Sequence, residues 1–156
     1  MRIWLTLAFV TIFQATAVPV VAGNLALTVD ENGQANRILT LAELDQLEQV
    51  SFATTTIWTD GNVEFSGVPL IRLLDNLPQS SVLRLTALND YSVDLPASDL
   101  VDIYPIIATR MNGQEISVRD KGPYWLVYPY DSDPVYQNET TYARSIWQLS
   151  MIQVMQ

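Results

Sequence analysis

From Asp60 onward the chain is broken by turn-forming residues about every 8 to 15 positions: Asp60-Gly61, Pro69, Pro78, Asn89-Asp90, Pro105, Asn112-Gly113 and Gly122-Pro123. Segments this short exclude a long helix or a heptad seam and favour strands of about five or six residues joined by tight turns. No internal repeat and no low-complexity linker interrupts the pattern, so the region reads as one compact domain.

Leu25 to Val29 reads as a first strand. Thr40-Leu41-Ala42-Glu43 is a capping box, which predicts a short helix through Leu44 and Leu47. Ser51 to Trp58 is rich in Thr and β-branched residues, and it predicts a strand that turns at Asp60-Gly61 and returns as Val63 to Ser66. Pro69 suits the first turn of a helix whose apolar face is Leu70, Leu73, Leu74 and Leu77, with Pro78 as its stop. Val82 to Leu88 and Tyr91 to Leu95 alternate around Asn89-Asp90 as a hairpin, followed by a helical turn near Ser98 to Ile103 that Pro105 closes. Ile106 to Met111 and Gln114 to Val118 flank Asn112-Gly113, the strongest hairpin signal in the chain. Tyr124 to Tyr128 is almost wholly apolar, as expected of a strand covered on both faces. Trp147, Leu149 and Met151 alternate before the phase slips to Ile152 and Val154, which predicts a bulge in the last strand. Strands with a few short helices make the expected fold class α+β, with mixed sheets.

Ahead of this domain Arg2 precedes an uncharged apolar run of 11 residues, Ile3 to Phe13, then Pro19 and the small-residue site Val20-Val21-Ala22. The run is too short for a membrane span, which takes about 20 apolar residues. It fits a secretory signal over residues 1–22, cut after Ala22 or after Ala17, and leaves a domain over residues 23–156. The expected location is a bacterial periplasm or the secreted pool, with no membrane insertion once the leader is gone. Without the leader, seven basic side chains face 17 acidic ones, a surface that repels nucleic-acid backbones. The sequence has no cysteine and no histidine. Disulfides, the usual zinc and copper ligand sets, Ser/His/Asp triads and Cys/His dyads are therefore excluded.

Six pieces then follow one another in order: Phe65-x-Gly67-Val68-Pro69-Leu70-x-x-Leu73-Leu74, Asn89-Asp90-Tyr91, Ala108-x-x-x-Asn112-Gly113, Gly122-Pro123 with Pro129, Arg144-Ser145, and Ile152-x-Val154. Across about 90 residues this order resembles the oxidoreductase molybdopterin-binding domain of sulfite oxidases and of the catalytic subunit of periplasmic methionine-sulfoxide reductase. The resemblance implies a sulfite-oxidase-type fold, a molybdopterin cofactor and a cysteine thiolate on molybdenum. The departures bear on activity. The ligating cysteine of active members lies shortly before a Trp ahead of the FxGVPL element, and here Trp58 is preceded by Thr54, Thr55 and Thr56. A hydroxyl is a hard, high-pKa donor and a poor replacement for thiolate. Asn89-Asp90-Tyr91 replaces the family's Asp-Gly-Tyr, Trp125 stands where active members tend to have Arg, and Trp147 takes the place of a second base after Arg144-Ser145.

The candidate ligand-contacting residues are Arg144, Ser145, Arg110, Trp58, Tyr91 and Tyr130; none is assigned as catalytic or as a metal ligand. Arg144-Ser145 reads either as a charge-assisted clamp for an oxyanion or as an arginine paired with a surface carboxylate. Arg110 lies in an apolar strand, hence at a sheet edge or in a cleft. Arg119 and Lys121 flank Asp120 in what reads as a solvated turn, and Asp131 and Asp133 read as turn formers rather than as a calcium shell. Trp58, Trp125 and Trp147 read as core aromatics more than as stacking platforms. The expected function is an exported molybdopterin-oxidoreductase-like protein without molybdenum redox activity. It would bind a small anionic or pterin-like ligand, or a periplasmic or membrane sensor or redox partner. The alternative is an active molybdopterin-dependent oxidoreductase with non-thiolate ligation.

Overall fold

The computed structural model describes residues 25–31, 33 and 36–156, so the expected leader, 1–22, lies outside the described residues. Two five-stranded sheets carry the chain. The first has the order β2 (Asn36–Leu39), β1 (Leu27–Glu31), β10 (Leu149–Met155), β5 (Val82–Ala87), β6 (Ser92–Pro96). The second runs β3 (Val50–Thr55), β4 (Asn62–Pro69), β7 (Ile106–Met111), β8 (Gln114–Glu115), with β9 (Trp125–Val127) also paired to β7. Leu27, Val29, Leu83, Leu85, Leu95 and Ile152 from one sheet meet Val63, Phe65, Val68, Ile106 and Leu126 from the other in one contiguous core. With no disulfide available, burial of these side chains is the main source of stability. The helices α1 (Leu41–Leu44) and α2 (Glu139–Arg144) are each one to two turns, so the fold is mainly β rather than the α+β expected from the sequence. Among the described residues no helix is long and apolar enough to cross a membrane.

Local chemistry accounts for the boundaries. The Thr40 hydroxyl accepts from the Glu43 N–H at 3.3 Å and the Glu43 carboxylate accepts from the Thr40 N–H at 2.7 Å, the reciprocal capping expected. The helix it opens stops after one turn, leaving Leu47 exposed rather than on an apolar face. Asn112 (φ 50°) and Gly113 (φ 76°) both take the left-handed conformation that a two-residue hairpin turn needs. The register of β10 against β5 shifts between Leu149 and Met151, the predicted bulge. Tyr124 to Tyr128 is buried throughout, as its composition requires. The helix expected after Pro69 is a single 3-10 turn, Leu70–Leu73, with Leu74 already extended. One such turn followed by an extended residue is enough to bury Leu70, Leu73 and Leu74, so the leucine spacing reflects burial rather than α-helix. Gly67 lies where β4 crosses β7 at a register shift, and a Cβ there would drive into the Ile107 carbonyl oxygen. That close approach requires glycine.

Among the strands and α-helices, two elements were not foreseen. Strand β2 pairs antiparallel with β1, and α2 follows Asn138, whose side chain accepts from the Thr141 N–H at 2.9 Å as an N-cap. Strand β1 also pairs parallel with β10, from Thr28 opposite Met151 to Glu31 opposite Val154.

Candidate functional site

Trp58 stands just past the end of β3 and is the centre of the site. Its ring meets Trp125 at 5.8 Å, Tyr130 at 6.2 Å, Tyr142 at 5.9 Å and Trp147 at 5.8 Å between centroids, all edge to face. Trp125 is fully buried and its indole N–H donates to the Ser145 carbonyl at 3.1 Å. Trp58 is half-buried and Trp147 is 37 % exposed, so the set runs from core to surface. Of Trp58, Trp125 and Trp147, only Trp125 is wholly the core residue expected.

Beside Trp58 opens a cleft of about 400 Å³ whose walls include Tyr91, Tyr142, Ile146, Trp147, Asn89 and Ser145. The indole N–H groups of Trp58 and Trp147 and the Tyr142 hydroxyl have no hydrogen-bond partner among the described residues. The Asn89 carbonyl is taken by the Tyr91 N–H at 3.2 Å, and its amide N–H₂ has no such partner. The cleft is thus largely aromatic with a few unpaired donors, the composition common to small-ligand sites.

The structure brings together Trp58, Tyr91 and Ser145, which line this cleft, with Tyr130 behind it. Ser145 is buried and fully engaged: its hydroxyl accepts from the Tyr130 hydroxyl at 2.6 Å and donates to the Thr141 carbonyl at 2.8 Å. Burial pushes the Tyr130 phenol well above its ordinary value, so it stays a neutral donor. Arg144 pairs with Asp99 at 2.8 Å at the end of α2, the ion-pair alternative read for it. Arg110 is turned to Asp45 at 2.7 Å and lines no part of the cleft. Asp131 accepts from the Thr55 N–H at 2.5 Å and the Thr55 hydroxyl at 2.8 Å, which lowers its pKa, and Asp133 caps the following 3-10 turn. Among the described residues no group of three or more acidic, cysteine or histidine side chains is placed to hold a metal ion. Tyr142, whose ring faces Trp58, was missed by the sequence reading; its place on the unforeseen α2 gave no periodic signal.

The donors at the expected thiolate position do not suit molybdenum. The Thr54 hydroxyl is buried, accepts from the Asp131 N–H at 3.1 Å and donates to the Thr55 carbonyl at 3.3 Å. The Thr55 hydroxyl is held by Asp131, and those of Thr56 and Thr59 bond each other at 2.8 Å. Hard hydroxyls already engaged in these hydrogen bonds offer no soft, ionised ligand.

No protein-family model matches the sequence, and no curated protein matches it. Among solved structures, the sulfane dehydrogenase SoxCD from Paracoccus pantotrophus superimposes with a TM-score of 0.63 at 15% identity, over 83% of this chain and 37% of that one. This chain shares the fold of part of SoxCD. It spans well under half of that chain's length, and at 15% identity the likeness is one of architecture. Mixed sheets with few short helices fit the sulfite-oxidase-type fold expected from the motif order.

Proposed function

We propose that this chain is an exported binding module on a sulfite-oxidase-type scaffold, distantly related to the molybdopterin oxidoreductases, that holds a small, flat, largely apolar ligand in the Trp58 cleft and performs no molybdenum redox chemistry. The observation that carries the reading is the cleft itself: an aromatic recess with unpaired N–H and O–H donors, beside threonine hydroxyls that are all engaged elsewhere. The engagement of Arg144 with Asp99 moves the preferred ligand from an oxyanion clamped at Arg144-Ser145 to a ring with hydrogen-bond acceptors. Rings stacked or edged against several aromatics gain contact area at little conformational cost.

The test is a thermal-shift titration of the purified protein, residues 23–156, with 2-naphthol and indole. A protein with ligand at about 100 times the dissociation constant gains about 2.7 kcal/mol, a shift of several degrees in Tm. Trp147→Ala is expected to abolish that shift. Stoichiometric molybdenum, or fluorescent pterin released on denaturation of protein purified from its natural source, sinks the reading.

A further inference from the structure

Five of the basic residues among those described are paired with carboxylates: Arg37 with Glu31 and Asp75, Arg72 with Glu48, Arg84 with Asp94, Arg110 with Asp45 and Glu115, and Arg144 with Asp99. Arg119 and Lys121 pair with none among the described residues. In a chain of formal net charge −9, two unpaired cations separated by one residue are unusual. Both line a second cavity of about 310 Å³, whose walls include Trp58 and Trp125 together with Asp60 and Asp120. Trp58 borders this cavity and the aromatic cleft alike.

The turn that carries these cations is held in an unfavourable shape. Ser117 caps the 3-10 turn Val118–Asp120, and its hydroxyl donates to the Asp120 carboxylate at 2.7 Å, which occupies that acid within its own turn. Lys121 follows in the left-handed conformation (φ 79°), which is costly for a residue with a side chain. Gly122 comes next and admits no Cβ, which would meet the Ile116 carbonyl. Gln148, itself left-handed (φ 52°), fastens the turn from the other side: its N–H donates to the Lys121 carbonyl at 3.0 Å and its side-chain amide to the Val118 carbonyl at 2.8 Å. The result sets the Lys121 ammonium 5.6 Å from the centre of the Trp125 ring. Strained backbone that the surroundings over-determine tends to mark a functional site.

We propose that this second cavity binds a singly charged aromatic carboxylate, its ring against Trp58 and its carboxylate on Arg119 and Lys121. The Arg119 guanidinium offers a planar fork that matches a carboxylate, and the Lys121 ammonium adds a point charge. The Asp60 and Asp120 carboxylates on the same wall offset the two cations and repel a second negative charge, so sulfate and the phosphate dianion are poor ligands. A cavity of this size lies at the small end of ligand sites and admits one or two fused rings. The site uses no residue of the Trp58 cleft other than Trp58, so it stands or falls separately from the proposal above.

Isothermal titration of the protein with 2-naphthoate at low ionic strength tests the site. One molecule is expected to bind per chain. Arg119→Gln and Lys121→Gln together are expected to weaken binding at least tenfold, while Arg84→Gln on the distant β5–β6 hairpin leaves it unchanged. Asp60→Asn is expected to tighten binding. If Lys121→Gln disturbs the turn, Arg119→Gln alone, an exposed residue, gives the same sign, and added sodium chloride weakens 2-naphthoate binding to the wild type. Absence of binding to the wild type, an unchanged affinity in the double variant, or displacement by sulfate at equal concentration overturns the proposal.

Discussion

Ser145 and Tyr130 make a stability experiment that separates a structural serine from a ligand clamp. Both are almost fully buried, at 1% and 2% exposure, and the Tyr130 hydroxyl gives its proton to the Ser145 oxygen at 2.6 Å. Ser145→Ala removes that acceptor and leaves a buried phenol unpaired, a loss of about 1–3 kcal/mol. Tyr130→Phe removes the donor instead, and Ser145 keeps its 2.8 Å bond to the Thr141 carbonyl, so the loss is smaller, about 0.5–1.5 kcal/mol. In the Tyr130→Phe background Ser145→Ala no longer strands a phenol, so the double variant loses less than the sum, with a coupling of about 1 kcal/mol. Urea unfolding reads this directly, because a slope of about 2 kcal/mol per molar turns a loss of about 2 kcal/mol into a midpoint shift of about 1 M. A Ser145→Ala variant as stable as the wild type, or less damaged than Tyr130→Phe, refutes the reasoning.

Gly67→Ala, which puts a methyl group into the Ile107 carbonyl, is expected to cost about 1–3 kcal/mol in the same assay, and a neutral result would mean that β4 and β7 separate easily. Asp131 is held below its ordinary carboxylate value by the Thr55 N–H and hydroxyl. Its contribution is therefore present above an unfolded value near 3.8 and lost as pH falls through the lower folded value, so wild type and Asp131→Asn should differ at about pH 7 and converge toward about pH 2. Burial pushes Tyr124 to about 12, with Asp45 and Glu43 adding to the shift, and pushes Tyr128 and Tyr130 further still. These phenols stabilise the fold fully below about pH 10 and progressively less as pH rises toward their folded values. Phenolate absorbance in the near ultraviolet should show them ionising only as circular dichroism reports unfolding, and reversible ionisation of every tyrosine near pH 10 with structure intact would contradict this.

What the sequence made readable was local. Asn112-Gly113 placed Ile106–Met111 to the residue, Thr40 and Glu43 placed a helix start, and the phase slip in the last strand marked a bulge there, because each depends on neighbours in sequence. The failures were of range. The leucines after Pro69 read as a helix because burial and helical period coincide over one turn. Helix α2, six residues reading ETTYAR, has a cap but no apolar stripe. At the site, Trp58, Tyr91 and Ser145 converged as candidates, yet nothing local to Arg144 or Arg110 names Asp99 or Asp45 as partner, 45 and 65 residues away. Arg119 and Lys121 were read as a solvated turn because their lack of partners is visible only once every carboxylate has a position.

Strand β10 lies between β1 and β5 in the first sheet, so it is an inner strand rather than an edge. Without residues 149–155, β1 and β2 have no strand pairing to β5 and β6. The parallel pairing of β10 with β1 brings Gln153 beside Asp30 across 123 residues of sequence, the kind of non-local contact that slows folding. Removal of those seven residues would part β1 and β2 from β5 and β6, a loss of the fold rather than a trimming of it.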